Sequence, residues 1–104
     1  MSFQGGFPRT FSNASIRTHA PALPGVYGIS NGREWILIES ADDIQADLLH
    51  HANGASSTRL SALQPTGFSY EVCDPSTRGY RREALVKQYV PLYDSGGSLQ
   101  LGQE

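Results

Sequence analysis

Two apolar-rich stretches face each other across Asn31-Gly32, and they set the pattern of the first half of the chain. Val26 to Ser30 and Arg33 to Glu39 both carry strand-forming residues, and an Asn-Gly pair between such runs predicts a two-residue hairpin. Trp35-Ile36-Leu37-Ile38 is apolar at consecutive positions, so this strand is expected to be covered on both faces. Ser40-Ala41-Asp42-Asp43 reads as a capping box opening a helix that runs to about His51 and buries Ile44, Leu48 and one flank of Leu49. Asn53-Gly54-Ala55-Ser56-Ser57 ends it, and residues 58–65 hold Leu60 and Leu63 in an ambiguous turn. Phe68, Tyr70 and Val72 alternate with Ser69, Glu71 and Cys73, which predicts a half-exposed third strand. Asp74-Pro75 or Ser76-Thr77 opens a second helix with Tyr80, Ala84, Leu85 and Tyr89 at helical spacing, and Pro91 stops it. The expected fold is therefore α+β: a small three-stranded antiparallel sheet flanked by helices, in the order β-β-α-β-α. Residues 1–22, with Phe3, Phe7 and Phe11 but no period, are expected to form an irregular arm. Residues 23–94 form the single domain, and 95–104 a flexible Gly, Ser and Gln tail.

Composition narrows the choices of partner. At 104 residues the chain has room for one modest core. A net charge of −2 provides no bulk attraction for nucleic acid, so an anion site needs a local cluster among eight basic residues, seven of them Arg. The single Cys73 excludes an internal disulfide and a multi-cysteine zinc site. No apolar run approaches the roughly 18 residues of a membrane span, and no signal-peptide pattern opens the chain, so a cytoplasmic protein without a membrane partner is the expectation.

Two phrases carry a family likeness. Pro24-Gly25-Val26-Tyr27 precedes the first strand pair, and Arg82-Glu83-Ala84-Leu85 with Pro91-Leu92-Tyr93-Asp94 closes the last helix. Together they resemble the two ends of a GIY-YIG nuclease domain over residues 20–94. Members of that superfamily are metal-dependent phosphodiesterases acting on DNA. The resemblance implies that Tyr27 would help position or deprotonate the attacking water, that His51 would sit beside it, and that Glu83 would hold Mg²⁺ or Mn²⁺. The second motif falls on Ile36-Leu37-Ile38-Glu39-Ser40, or one residue earlier with Trp35 in the place of its Tyr; neither register restores the phenol or the Gly. With His51 in the His position, Asp47 occupies the position of the family's Arg.

Hydrolysing a phosphodiester needs a positioned water, a cation on the phosphate and a stabilised leaving group. Exchanging Arg for Asp sets a carboxylate where the phosphate would lie, so the chain is expected to be a degenerate, catalytically impaired domain that binds a nucleic-acid end or a protein partner. The apolar Trp35–Ile38 strand and the Phe-rich arm favour protein contact, self-association into a homodimer included. The alternative is a working Mg²⁺- or Mn²⁺-dependent endonuclease using Tyr27 and Glu83 with a substitute arginine. Arg33, Arg59, Arg81 and Arg82 are candidates for that substitution. Arg33, Arg78, Arg81 and Arg82 are the candidate nucleic-acid contacts, because guanidinium forks suit phosphate near a helix start. A solvated helix face explains the same arginines, and an ion pair with Lys87 four residues on explains Glu83. Asp43, Asp47, His50 and His51 share a helix with a dipole that accounts for acids at its start and histidines at its end. Cys73 is expected to be a buried, inert thiol.

Overall fold

The computed structural model describes residues 8–32, 34–53 and 64–92. Four strands and three helices follow in chain order: β1 (Arg9–Thr10), α1 (Asn13–His19), β2 (Gly25–Ser30), β3 (Trp35–Ala41), α2 (Ile44–Ala52), β4 (Gly67–Val72) and α3 (Arg78–Tyr89). The strands form one antiparallel sheet in the order β1-β4-β2-β3. The α+β class and the β-β-α-β-α succession stand, with a fourth strand and a third helix added at the start. Both additions come from the segment expected to be irregular. The seven-residue α1 buries Ile16 alone, and one buried position leaves no period to detect. Its Ser12 hydroxyl accepts from the Ser15 N–H, and Phe11 packs against the core. Phe3, Phe7, Arg33, Arg59, Leu60, Leu63, Asp94 and the 95–104 tail lie outside the described residues.

The hairpin is wider than a two-residue turn. Ser30 pairs with Trp35, and the register shifts between Ile29 and Ser30, so the strands do not close on Asn31-Gly32 alone. The Glu34 N–H donates to the Asn31 side-chain oxygen at 3.0 Å, and Gly32 takes the left-handed φ of 86° that the bend requires. The start of α2 also moves. Ser40 stays in β3 opposite Val26, and Asp43 caps the helix by accepting from the Ala46 N–H at 2.9 Å. Pairing along the whole of β2 keeps β3 extended to Ala41, one residue past the expected Ser cap.

Pleating divides the core into two layers. Tyr27, Ile29, Leu37 and Phe68 face α1 and α2 together with Ile16, Ile44 and Leu48. Val26, Ile38 and Cys73 face α3 and meet Leu85, with Trp35, Val86 and Tyr89 packed alongside. The Trp35–Ile38 segment is thus covered on both sides as its composition predicts, and that burial removes it as a surface for a protein partner. β4 is not half-exposed: Ser69 and Glu71 are buried on the α3 side. α3 itself presents Arg78, Arg81, Arg82, Leu85, Val86 and Tyr89 at helical spacing toward the sheet, while Tyr80 is 81% exposed. Half of the inward stripe is arginine, so an apolar period alone places the wrong face inward at the start of the helix.

Candidate functional site

The Tyr27 ring points from the middle strand into the α2 layer and is 1% exposed. Asp47 and His51, one helical turn apart on α2, both reach its hydroxyl. The phenol oxygen lies 2.9 Å from His51 Nε2 and 3.4 Å from Asp47 Oδ2. The directions of these bonds follow from the third polar atom, His51 Nδ1, which is buried and has no hydrogen-bond partner. A proton on Nδ1 would leave a buried N–H unsatisfied, whereas an unpaired lone pair is less costly. The favoured chain therefore runs His51 Nε2–H to Tyr27 Oη, and Tyr27 O–H to the Asp47 carboxylate.

That arrangement holds both titrating groups in their neutral forms. Burial, then the nearby Asp47 and Glu39 carboxylates, push the Tyr27 phenol far above its ordinary range. Burial lowers the His51 pKa below its usual value, outweighing the opposing pull of Asp47. Glu39 enters this group because it lies directly opposite Tyr27 in the β2–β3 ladder. The pocket thus combines a phenol that keeps its proton with two acids, and it contains no cation from α2.

The candidate arginines on α3 are brought to the sheet, each to a different carboxylate. Arg78 reaches Asp42 at 2.5 Å. Arg81 forms a two-pronged bond with the buried Glu71, from Nε to one oxygen and from Nη2 to the other at 2.6 Å. Arg82 lies 3.6 Å from Glu39 and donates from Nε to the Ile38 carbonyl at 3.2 Å, closing part of the outer edge of β3. They form neither a solvated face nor an open phosphate fork. Asp42 and Glu71 fall in no functional motif, Glu39 falls only within the second family phrase, and no local period links any of them to the arginines of α3. Glu71 also holds the Cys73 thiol, whose pKa is raised by burial and by that carboxylate.

Glu83 lies apart from Tyr27 and His51. It is exposed on the outer face of α3, where it lines a shallow depression with Tyr80, Ala84 and Lys87. Tyr27 and His51 are therefore brought together, with Asp47 between them in role, whereas Glu83 sits on the helix that covers the opposite face of the sheet.

No protein-family model matches this sequence, and no curated protein matches it significantly. Solved structures do. The GIY-YIG N-terminal endonuclease domain of UvrC from Thermotoga maritima, bound to magnesium as its catalytic cation, superposes with a TM-score of 0.61 at 23% identity, covering 73% of this chain and 91% of that one. A point mutant of the same domain bound to its catalytic divalent cation gives a TM-score of 0.60 at 24% identity, covering 73% and 90%. The described residues provide no ready-made cage for such a cation. Among the described residues no three His, Cys, Asp or Glu side chains gather to hold a metal ion, and Glu83 has Lys87 beside it. Among the described residues no helix is long and apolar enough to cross a membrane. The fold is nonetheless the one those structures share, and this chain has a GIY-YIG-like fold.

Proposed function

We propose that this chain is a GIY-YIG-like domain that no longer hydrolyses phosphodiesters and acts as a nucleic-acid-binding module. The observation that carries the reading is the Tyr27 phenol bonded between His51 and Asp47. A phenol in that setting retains its proton and supplies no base. Asp47 beside it makes the pocket repel phosphate: two like charges about 4 Å apart oppose each other by about 4 kcal/mol at an effective dielectric near 20. Of the arginines that would replace the missing cation, Arg81 and Arg82 already pair with Glu71 and Glu39, and Arg33 and Arg59 lie outside the described residues. A nucleic-acid ligand is favoured over a protein partner because the apolar β3 segment that pointed to protein contact lies inside the domain.

The test incubates the protein with labelled single-stranded, duplex and branched DNA in Mg²⁺ and in Mn²⁺, beside Glu83→Ala and Tyr27→Phe preparations. The expected result is no metal-dependent product from any of them. Cleavage by the parent that vanishes in Glu83→Ala would overturn the reading and establish a nuclease built on Tyr27 and Glu83.

A further inference from the structure

Charge is distributed unevenly along the chain. Residues 1–33 contain Arg9, Arg17 and Arg33 and no Asp or Glu, a formal +3. Residues 34–104 contain five basic and ten acidic residues, a formal −5, which together give the net −2. In the fold, β1 and α1 carry the two described arginines of the positive segment, Arg9 and Arg17, and they form one edge of the sheet and the helix beside it. Among the described residues neither Arg9 nor Arg17 pairs with a carboxylate, unlike the three arginines of α3.

Arg9, from β1, places Nη1 3.4 Å from Nδ1 of His19 at the end of α1. The guanidinium can only donate, so the ring nitrogen of His19 is the acceptor in that contact. The helix dipole alone attracts Arg17 and His19 to the last turn of α1. It does not account for Arg9, which comes from another element. The carbonyls at that end already have a donor, since Gln45 Nε2 reaches Ala20 O at 3.0 Å and Arg17 O at 3.5 Å.

We propose that the β1–α1 corner, through Arg9 and Arg17 with His19 at the end of α1 against Arg9, is the surface that takes the phosphate backbone of a nucleic acid. This rests on the binding-module reading above and places the contact away from the Tyr27 pocket. Two cations can neutralise about two phosphates. Binding is then weak and steeply salt-dependent, with log K falling by about 1.8 per log unit of salt for a duplex. Raising salt from about 50 to about 200 mM weakens it about tenfold.

Fluorescence anisotropy with labelled duplex and single-stranded DNA tests this, without added divalent ions, on the parent, Arg9→Gln/Arg17→Gln, Arg9→Lys/Arg17→Lys and Lys87→Gln. Circular dichroism confirms that each variant is folded. The expected result is binding by the parent, at least a tenfold loss with a nearly flat salt dependence in the double Gln variant, recovery in the double Lys variant, and parent-like binding in Lys87→Gln. Binding that the double Gln variant keeps would overturn this placement and leave the binding-module reading intact. No binding by the parent would overturn both. Equal, Arg9- and Arg17-dependent capture of polyglutamate would overturn the nucleic-acid assignment in favour of an acidic protein.

Discussion

Replacing Arg81 with Ala separates a phosphate-contacting arginine from one that holds α3 to the sheet. The Glu71 carboxylate is 5% exposed and receives two bonds from a guanidinium whose side chain is 15% exposed. Removing one partner of a buried pair costs about 3–5 kcal/mol, because the remaining charge stays out of water. The residual exposure of Arg81 places the expected loss near the lower figure, about 3 kcal/mol. For a domain of this size that is a large part of a total of about 5–15 kcal/mol. With a urea m-value of about 1.5–2 kcal/mol per molar, the midpoint should fall by about 1.5–2 M. Trp35 fluorescence is a suitable probe, since its ring lies 4.9 Å from that of Tyr89 on α3 and reports when the helix leaves β3. The double replacement Arg81→Met/Glu71→Leu removes both charges and should recover at least half of the loss, as apolar substitutes for buried pairs often do. A midpoint for Arg81→Ala within about 0.3 M of the parent, the range of ordinary surface changes, would refute the argument and return Arg81 to the list of available phosphate contacts.

Three further outcomes follow from the same geometry. Gly25→Ala should destabilise the domain by about 3 kcal/mol or more in the same urea experiment, the upper part of the overpacking range. A Cβ there would lie 2.2 Å from the Glu71 carbonyl and 2.9 Å from Val72 Cα, both backbone atoms that cannot move aside. His51 is held below its unfolded pKa, so the unfolded chain binds its proton first as pH falls; stability conferred by neutral His51 is present above pH 6.5 and declines below it. Thermal midpoints across that window should show a decline in the parent that His51→Gln lessens, and an identical profile in both would contradict the buried neutral imidazole. Arg82→Ala exposes the Ile38 carbonyl on the edge strand β3 and should produce concentration-dependent dimers by light scattering, whereas an unchanged monomer mass would show that Arg82 does not guard that edge.

Much of the framework was readable from the residues. The strand-forming run Val26–Ser30, the apolar Trp35–Ile38 run, the Ile44/Leu48 pair and the Pro91 stop each depend on near neighbours, so they mark β2, β3, α2 and the end of α3. The Gly25-Val26-Tyr27 phrase and the closing helix were enough to identify the fold, and the approach of Gly25 to the β4 backbone gives that glycine its physical reason. The tertiary structure alone decided what the charges do. Helix α3 faces the sheet through arginines whose partners come from other strands and turns: Arg81 with Glu71 is ten residues apart, Arg78 with Asp42 is 36 and Arg82 with Glu39 is 43. Such pairings have no local period. Asp47 reads as a lost arginine in the sequence, but only the meeting of α2 with the middle strand makes it the acceptor of a phenol proton. The pairing of Arg9 with His19 and the burial of Ile16 likewise required a short segment without periodicity to be placed against a sheet formed by residues further along the chain. Sequence pattern records what neighbouring residues need from solvent, whereas partners for buried charge are chosen by distances that only the folded chain creates.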